Sequence, residues 1–185
     1  MVFCSAVLVL SACGNDTVDG GDDTPSGGKS RTTEGALDTA PVKPELVSRQ
    51  KKISTDLAVG DARCPARVEL RKGITFGCSV MVEGLPAPWT VTVKSVNSGA
   101  KTAEYEYELT KAVLSTAKLN DAAKKAEGGA EADCGGGSKA RLVAVGSTII
   151  CTITDSDGLA RSIKLRVDDI GGNVSPAGPL EETSG

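Results

Sequence analysis

The sequence predicts an α+β fold of two tandem small modules, each one helix packed on a 3–4-stranded antiparallel sheet with one internal disulfide. Three observations lead there. Gly73-Ile74-Thr75-Phe76-Gly77-Cys78 is echoed by Gly146-Ser147-Thr148-Ile149-Ile150-Cys151, with glycine, threonine, a large apolar residue and cysteine at the same offsets. An earlier cysteine precedes each copy, Cys64 and Cys134, and a turn plus an alternating strand follows each. The 185 residues include only 3% aromatics but 22 glycines and six cysteines, a composition that builds a thin core and gains from covalent staples.

Val2 to Leu10 is an apolar run too short to span a bilayer and suited to a signal-peptide core, so residues 1–12 are expected to be a signal peptide. No Lys or Arg precedes the run. It ends in Leu10-Ser11-Ala12-Cys13, which resembles the bacterial lipobox; that resemblance implies cleavage before Cys13 and lipidation of its thiol. Residues 13–43 then read as the lipidated cysteine and a disordered linker, because Gly, Asp, Thr, Ser and Pro dominate. A flexible tether of this length has an r.m.s. span of roughly 30 Å. Six carboxylates, from Asp16 to Asp38, face three cations there, so the linker alone carries the net −3 of the whole chain. Residues 44–171 are left with 18 basic and 16 acidic residues, too even a balance to imply a nucleic-acid partner.

Module one is expected over 44–109. Pro44 can open a helix, and Leu46, Ile53 and Leu57 share a face of residues 45–57 before Gly60 stops it. Pro65 makes Asp61 to Pro65 an edge strand or loop. Ile74, Phe76, Cys78, Val80 and Val82 alternate with polar or small residues, which places Cys78 on the apolar face. Trp89, Val91 and Val93 continue the inward pattern, and Ala103, Tyr105, Tyr107 and Leu109 oppose Glu104, Glu106 and Glu108 in the last strand.

Module two is expected over 110–175, followed by a flexible tail at 176–185. Residues 111–126 form a weakly amphipathic helix, stopped by Gly128-Gly129. Ile149, Cys151 and Ile153 point inward from one strand, and Ile163, Leu165 and Val167 from its partner across Ser156-Asp157-Gly158. Arg161, Lys164 and Arg166 are expected on the solvent face. The stub at Asn173 to Pro176 leaves this sheet one strand short, or borrowing an edge.

With Cys4 removed and Cys13 lipidated, four cysteines allow three connectivities. Sequence proximity and repeat logic favour Cys64–Cys78 and Cys134–Cys151, each closing a loop of about 14 to 18 residues worth roughly 3 kcal/mol. The absence of His removes His-based nucleophilic catalysis and most zinc sites, and no Cys-x-x-Cys spacing suggests a redox pair or metal site. No cofactor is expected.

Three stretches match the spacing of known chemical motifs. Ser115-Thr116-Ala117-Lys118 and Ser48-Arg49-Gln50-Lys51 fit the Ser-x-x-Lys nucleophile pattern, but the chain is short for that fold and the companion motifs are missing. Asp155-Ser156-Asp157-Gly158 has a calcium-loop look, yet Arg166 stands where a bidentate Glu is needed. A candidate binding surface comprises Trp89, Tyr105, Tyr107, Arg161, Lys164 and Arg166, although the inward phase of Trp89 favours a core role.

Through Cys64-Pro65, Gly73, Phe76, Cys78 and Val91-Thr92-Val93 the chain resembles a family of actinobacterial envelope lipoproteins carrying a small domain of unknown function. Module two fits more loosely, with Gly135 after Cys134 and Ile149 in place of Phe. The resemblance implies a small disulfide-bearing α+β fold at the cell envelope and no catalytic residues. The expected function is therefore that of a non-enzymatic binding or scaffolding lipoprotein. It would sit on the extracytoplasmic face of the cell membrane, held by lipid at Cys13 and facing an envelope protein or polymer. The alternative is a proteinaceous inhibitor of a secreted hydrolase, an analogy of layout with the β-lactamase inhibitory protein. Surface exposure of Trp89, Tyr105 and Tyr107 is what that alternative needs.

Overall fold

The structure is a computed structural model that describes residues 6–9, 36–69, 71–97, 102–127, 131–135 and 137–178. Cys13, most of the expected linker and the end of the tail lie outside the described residues. In chain order the first half runs β1 (Ala6–Val9), β2 (Ala36–Asp38), α1 (Val42–Ile53), β3 (Val59–Arg63), β4 (Arg67–Glu69), β5 (Thr75–Val82), β6 (Leu85–Asn97) and β7 (Thr102–Leu109). The second half runs β8 (Ala112–Ser115), α2 (Thr116–Glu127), β9 (Glu131–Asp133), β10 (Ala140–Val143), β11 (Thr148–Thr154), β12 (Ala160–Val167) and β13 (Val174–Pro176). Among the described residues the fold is α+β, with two helices, antiparallel pairing and two disulfides.

The larger sheet has the order β1-β7-β6-β5-β3, and the other large sheet β13-β12-β11-β9. Two short ribbons, β2-β4 and β10-β8, accompany them. The period-2 alternation is realised in full: Phe76, Cys78, Val80 and Val82 of β5 are buried, as are Ala87, Trp89, Val91 and Val93 of β6. The β5–β6 hairpin turns on Glu83-Gly84, both at positive φ (46° and 79°), the backbone a tight two-residue turn demands. Glu83 is held there by bonds to Ala58, from its own N–H to the carbonyl (2.9 Å) and from the Ala58 N–H to its carboxylate (2.8 Å). A bulge at Lys94 shifts the β6–β7 register, setting Ser95 opposite Glu104 and Val96 opposite Ala103.

Helix α1 covers this sheet with Val42, Leu46 and Gln50, one residue per turn. Pro44 lies in its first turn, where a missing N–H costs nothing. Gln50 is a polar residue in the apolar stripe, and it has a use: its Oε1 accepts from Trp89 Nε1 at 2.9 Å, and its Nε2 donates to Ser54 Oγ at 2.8 Å. In the second half, Leu119 and Ala123 of α2 pack on Ile149, Cys151, Ile153, Ile163, Leu165 and Val167.

Several expectations change. Residues 36–43, assigned to the linker by composition, form β2 and the start of α1. Polar groups there bond to the backbone, with the Ala40 N–H donating to Asp38 at 2.9 Å and the buried Thr39 hydroxyl donating to the Pro65 carbonyl. The first sheet has five strands, not three or four, because Ala6–Val9 pairs antiparallel with Thr102–Tyr105 inside the stretch assigned to the signal peptide. The helix expected at 111–126 begins only at Thr116, and Ala112–Ser115 is a strand buried along its whole length. The stub at 174–176 completes a four-stranded second sheet. Arg161 shares its phase with Ile163, Leu165 and Val167, so it does not belong to the outward row with Lys164 and Arg166; its position at the strand end leaves it exposed.

Cys64 is bonded to Cys78 and Cys134 to Cys151, with Cα atoms 4.4 and 4.0 Å apart. The doubly substituted Cys64→Ala/Cys78→Ala chain is expected to lose roughly 3 kcal/mol of stability in urea denaturation. Gln50→Met keeps the volume but orphans the indole N–H, which should cost about 1–3 kcal/mol. Emission from Trp89, the single tryptophan, reports both transitions. A Gln50→Met midpoint equal to that of the unaltered chain would show that the buried indole bond contributes nothing.

Candidate functional site

The aromatic members of the candidate surface belong to the core. Trp89 is 4% exposed and Tyr105 3%, both facing α1 from the inner side of the sheet. The inward phase of their strands puts them there, so they are withdrawn as surface anchors. Tyr107 is half-buried at the margin of the same layer. Its ring lies 6.2 Å from that of Tyr105 and beneath the Arg49 guanidinium, 4.5 Å from the ring centroid. Arg49 is also 2.8 Å from Glu45 one turn earlier in α1. Burial, and then the nearby Glu45 carboxylate, raise the Tyr107 phenol to about 12, with Arg49 opposing more weakly. Burial also raises Tyr105. This is a packing cluster of cation, carboxylate and phenols at the margin of the α1–sheet layer.

The cationic members lie on the other sheet and are separated from the aromatics. Lys164 and Arg166 face solvent from β12, opposite Ile150 and Thr148 of β11. Ile150 (62% exposed) and Val145 (47%) are exposed apolar residues on the same half of the chain. Arg166 contacts Asp168 at 3.1 Å, and Ser175 donates to the same carboxylate at 2.9 Å. These three residues, with Val145, Gly146 and Val167, line an open depression of about 510 Å³. It is shallow and polar, with its carboxylate already engaged. Arg161 stands apart, 3.8 Å from Asp155.

The Ser-x-x-Lys and calcium-loop-like stretches form structural parts. Ser115 is 4% exposed and its Oγ accepts from the Lys118 N–H at 3.4 Å, as a residue heading a helix does. Lys118 reaches across to Asp56, in the loop after α1, at 2.9 Å. Desolvation opposes ionisation of Asp56, but Lys118, the Ser115 hydroxyl and its own N–H outweigh it and hold the carboxyl below its usual value. Lys118 is engaged by Asp56, and the cluster bridges residues from the two halves of the chain. Ser48 and Lys51 are exposed on α1. Asp155 Oδ1 accepts from the N–H groups of Asp157 (3.0 Å) and Leu159 (2.9 Å), closing a hairpin turn. Among the described residues, no group of three His, Cys, Asp or Glu could hold a metal ion.

Sequence reasoning missed Gln50 and Asp56. Gln50 was findable, since it follows Val42 and Leu46 at four-residue spacing; nothing local marks Asp56. No family model, curated protein or solved structure matches the chain.

Folded Tyr107 keeps its proton to about pH 12, whereas in the unfolded chain it loses it at the ordinary 10.0. Between those values the folded state binds more protons, so stability is complete below pH 10 and falls as pH rises. Tyr107→Phe should flatten that decline, measured by denaturation midpoints across the interval. Equal slopes in the two chains would show that Tyr107 ionises normally.

Proposed function

We propose that the chain is a membrane-anchored extracytoplasmic lipoprotein, a non-enzymatic binding or scaffolding body built from two tandem, disulfide-stapled modules. The observation that carries the proposal is the pair of internal disulfides, Cys64–Cys78 and Cys134–Cys151. Such bonds persist in oxidising compartments, and small domains of exported proteins use them where the core is thin. Leu10-Ser11-Ala12-Cys13 supplies the signal for export and lipid attachment. Among the described residues no helix is long and apolar enough to cross a membrane. Acyl chains on Cys13 would anchor the chain at about 0.8 kcal/mol per buried methylene.

Support for tandem duplication comes from backbone bonds that recur atom for atom. Gly73 donates to the Val93 carbonyl and Val93 to Ile74, at 2.7 and 2.9 Å. Gly146 donates to the Val167 carbonyl and Val167 to Ser147, again at 2.7 and 2.9 Å. Both glycines have φ of 84°, a conformation that favours glycine, and each is followed five residues later by the cysteine of its disulfide. Cys78 pairs with Trp89 as Cys151 pairs with Ile163. The order β7-β6-β5-β3 has its counterpart in β13-β12-β11-β9, and β2-α1-β3-β4 in β8-α2-β9-β10. The scaffolding reading is supported by what the polar clusters do: Ser115, Asp56 and Lys118 join the halves, and Asp155 and Asp168 serve turns and strands.

The test is fractionation with intact-mass analysis in a bacterium that processes lipoproteins. The mature chain should begin at Cys13, carry acyl groups and sediment with membranes, while Cys13→Ala should retain Met1 and lose the acyl mass. A wild-type chain that lacks acyl groups would end the anchor proposal.

A further inference from the structure

The edge of β7 is where a partner has most to gain. A sheet edge presents unpaired N–H and C=O groups, and natural folds protect such edges. In the two large sheets the outer strands β3, β9 and β13 are protected. β3 carries a register shift between Val59 and Ala62 and runs into Cys64-Pro65. β9 has three residues and leads directly into the Cys134 disulfide. β13 also has three residues and ends on Pro176. By contrast β7 is eight residues long, has no proline, and faces its neighbour β6 with the bulge residue in β6. What covers it is β1, and only over Thr102–Tyr105. The cover is the apolar stretch Ala6–Val9, which the lipoprotein proposal removes with the signal peptide.

We infer that processing opens the β7 edge as a strand-addition site, and that its ligand is an extended protein segment alternating apolar and basic residues. This rests on the lipoprotein proposal, since the edge is vacated only when residues 1–12 leave. The register of β1 defines the specificity: positions opposite Ala103 and Tyr105 fall on the core side, and the position opposite Glu104 on the solvent side. Continued along β7, the solvent-side row is Glu104, Glu106 and Glu108. Lys94 (2.8 Å) engages Glu106 and the neutral Ser95 (2.8 Å) donates to Glu104, so the row stays acidic. Lysine or arginine at every second position of the incoming strand complements it, with valine-like residues between them on the Tyr105 side. A second copy of this chain is the poorer occupant, because antiparallel β7–β7 pairing sets glutamates against glutamates. Main-chain bonds supply the affinity and the alternating side chains the selectivity.

The experiment uses full-length chains so that it does not depend on cellular processing. Cys13→Ala, with Met1 verified by mass, keeps β1 in place; Cys13→Ala/Val7→Pro removes an N–H from β1 and loosens its pairing. Each is titrated with a fluorescent valine–lysine alternating peptide and followed by hydrogen exchange, with Trp89 emission as the check on folding. The proline chain should bind the peptide at least about tenfold more tightly and protect the amides of residues 102–109. Glu104→Lys/Glu106→Lys/Glu108→Lys in that background should abolish this binding and confer binding of a valine–glutamate peptide. Equal affinity with and without Val7→Pro, protection elsewhere, or indifference to the charge reversal overturns the inference. Concentration-dependent protection of the same amides without peptide assigns the edge to a second copy and overturns the stated ligand. The wild-type intact mass is a separate readout: Met1 retained there sinks the lipoprotein proposal and leaves the edge to be judged on the full-length pair.

Discussion

The constraint from which the architecture follows is the small amount of apolar surface that one twelve-residue helix can cover on one face of a sheet. Val42 and Leu46 of α1, or Leu119 and Ala123 of α2, are the whole fully buried apolar contribution of each helix. A core of valines with few aromatics does not offset the entropy of ordering the strands by a wide margin. The disulfides act where that shortage is felt. Each joins the segment after the helix-proximal strand, β3 or β9, to the middle of the neighbouring central strand, and the half-cystines Cys78, Cys134 and Cys151 are themselves buried. Closing the chain at these points restricts the unfolded ensemble and fixes the edge strand against the strand it must pair with.

The junction between the halves obeys the same economy. Strand β8 alternates its side chains between two cores: Val113 packs into the first, Ala112 and Leu114 into the second. Ala140 and Leu142 of β10 join the first core, and Val143 the second. One ribbon therefore supplies a wall to both bodies, and a strand covered on both faces has no polar side to show. The Lys118–Asp56 pair lies beside it; with side chains 52% and 34% exposed it contributes at most about 1 kcal/mol, so apolar burial of the ribbon dominates the junction.

This explains which parts were legible in the sequence. Strands with one wet face, β5, β6, β7, β11 and β12, declare themselves by alternation, and the cysteine partners follow from their spacing. The ribbon strand Ala112-Val113-Leu114-Ser115 is a short continuous apolar run, for which periodicity cannot separate strand from helix, and it was absorbed into the helix that follows. Residues 36–40 were hidden for a different reason: Asp38 and Thr39 read as linker until the Thr39 hydroxyl meets the Pro65 carbonyl, far away in sequence. The candidate surface mixed two phases. Trp89 and Tyr105 announced burial by position, whereas Lys164 and Arg166 announced exposure, and no rule of sequence could bring them to one site. Arg161 was a plain error of parity.

Charge is divided between the two outer faces in a way the core does not require. The first sheet turns Glu104, Glu106 and Glu108 to solvent, and the second turns Lys164 and Arg166. Net charge over the folded body is close to balanced, so this is segregation and not excess. Like charges set side by side along one strand cost stability, and packing offers no return for them on a wet face. Their effect is on what approaches: one face disfavours anionic partners and the other cationic ones.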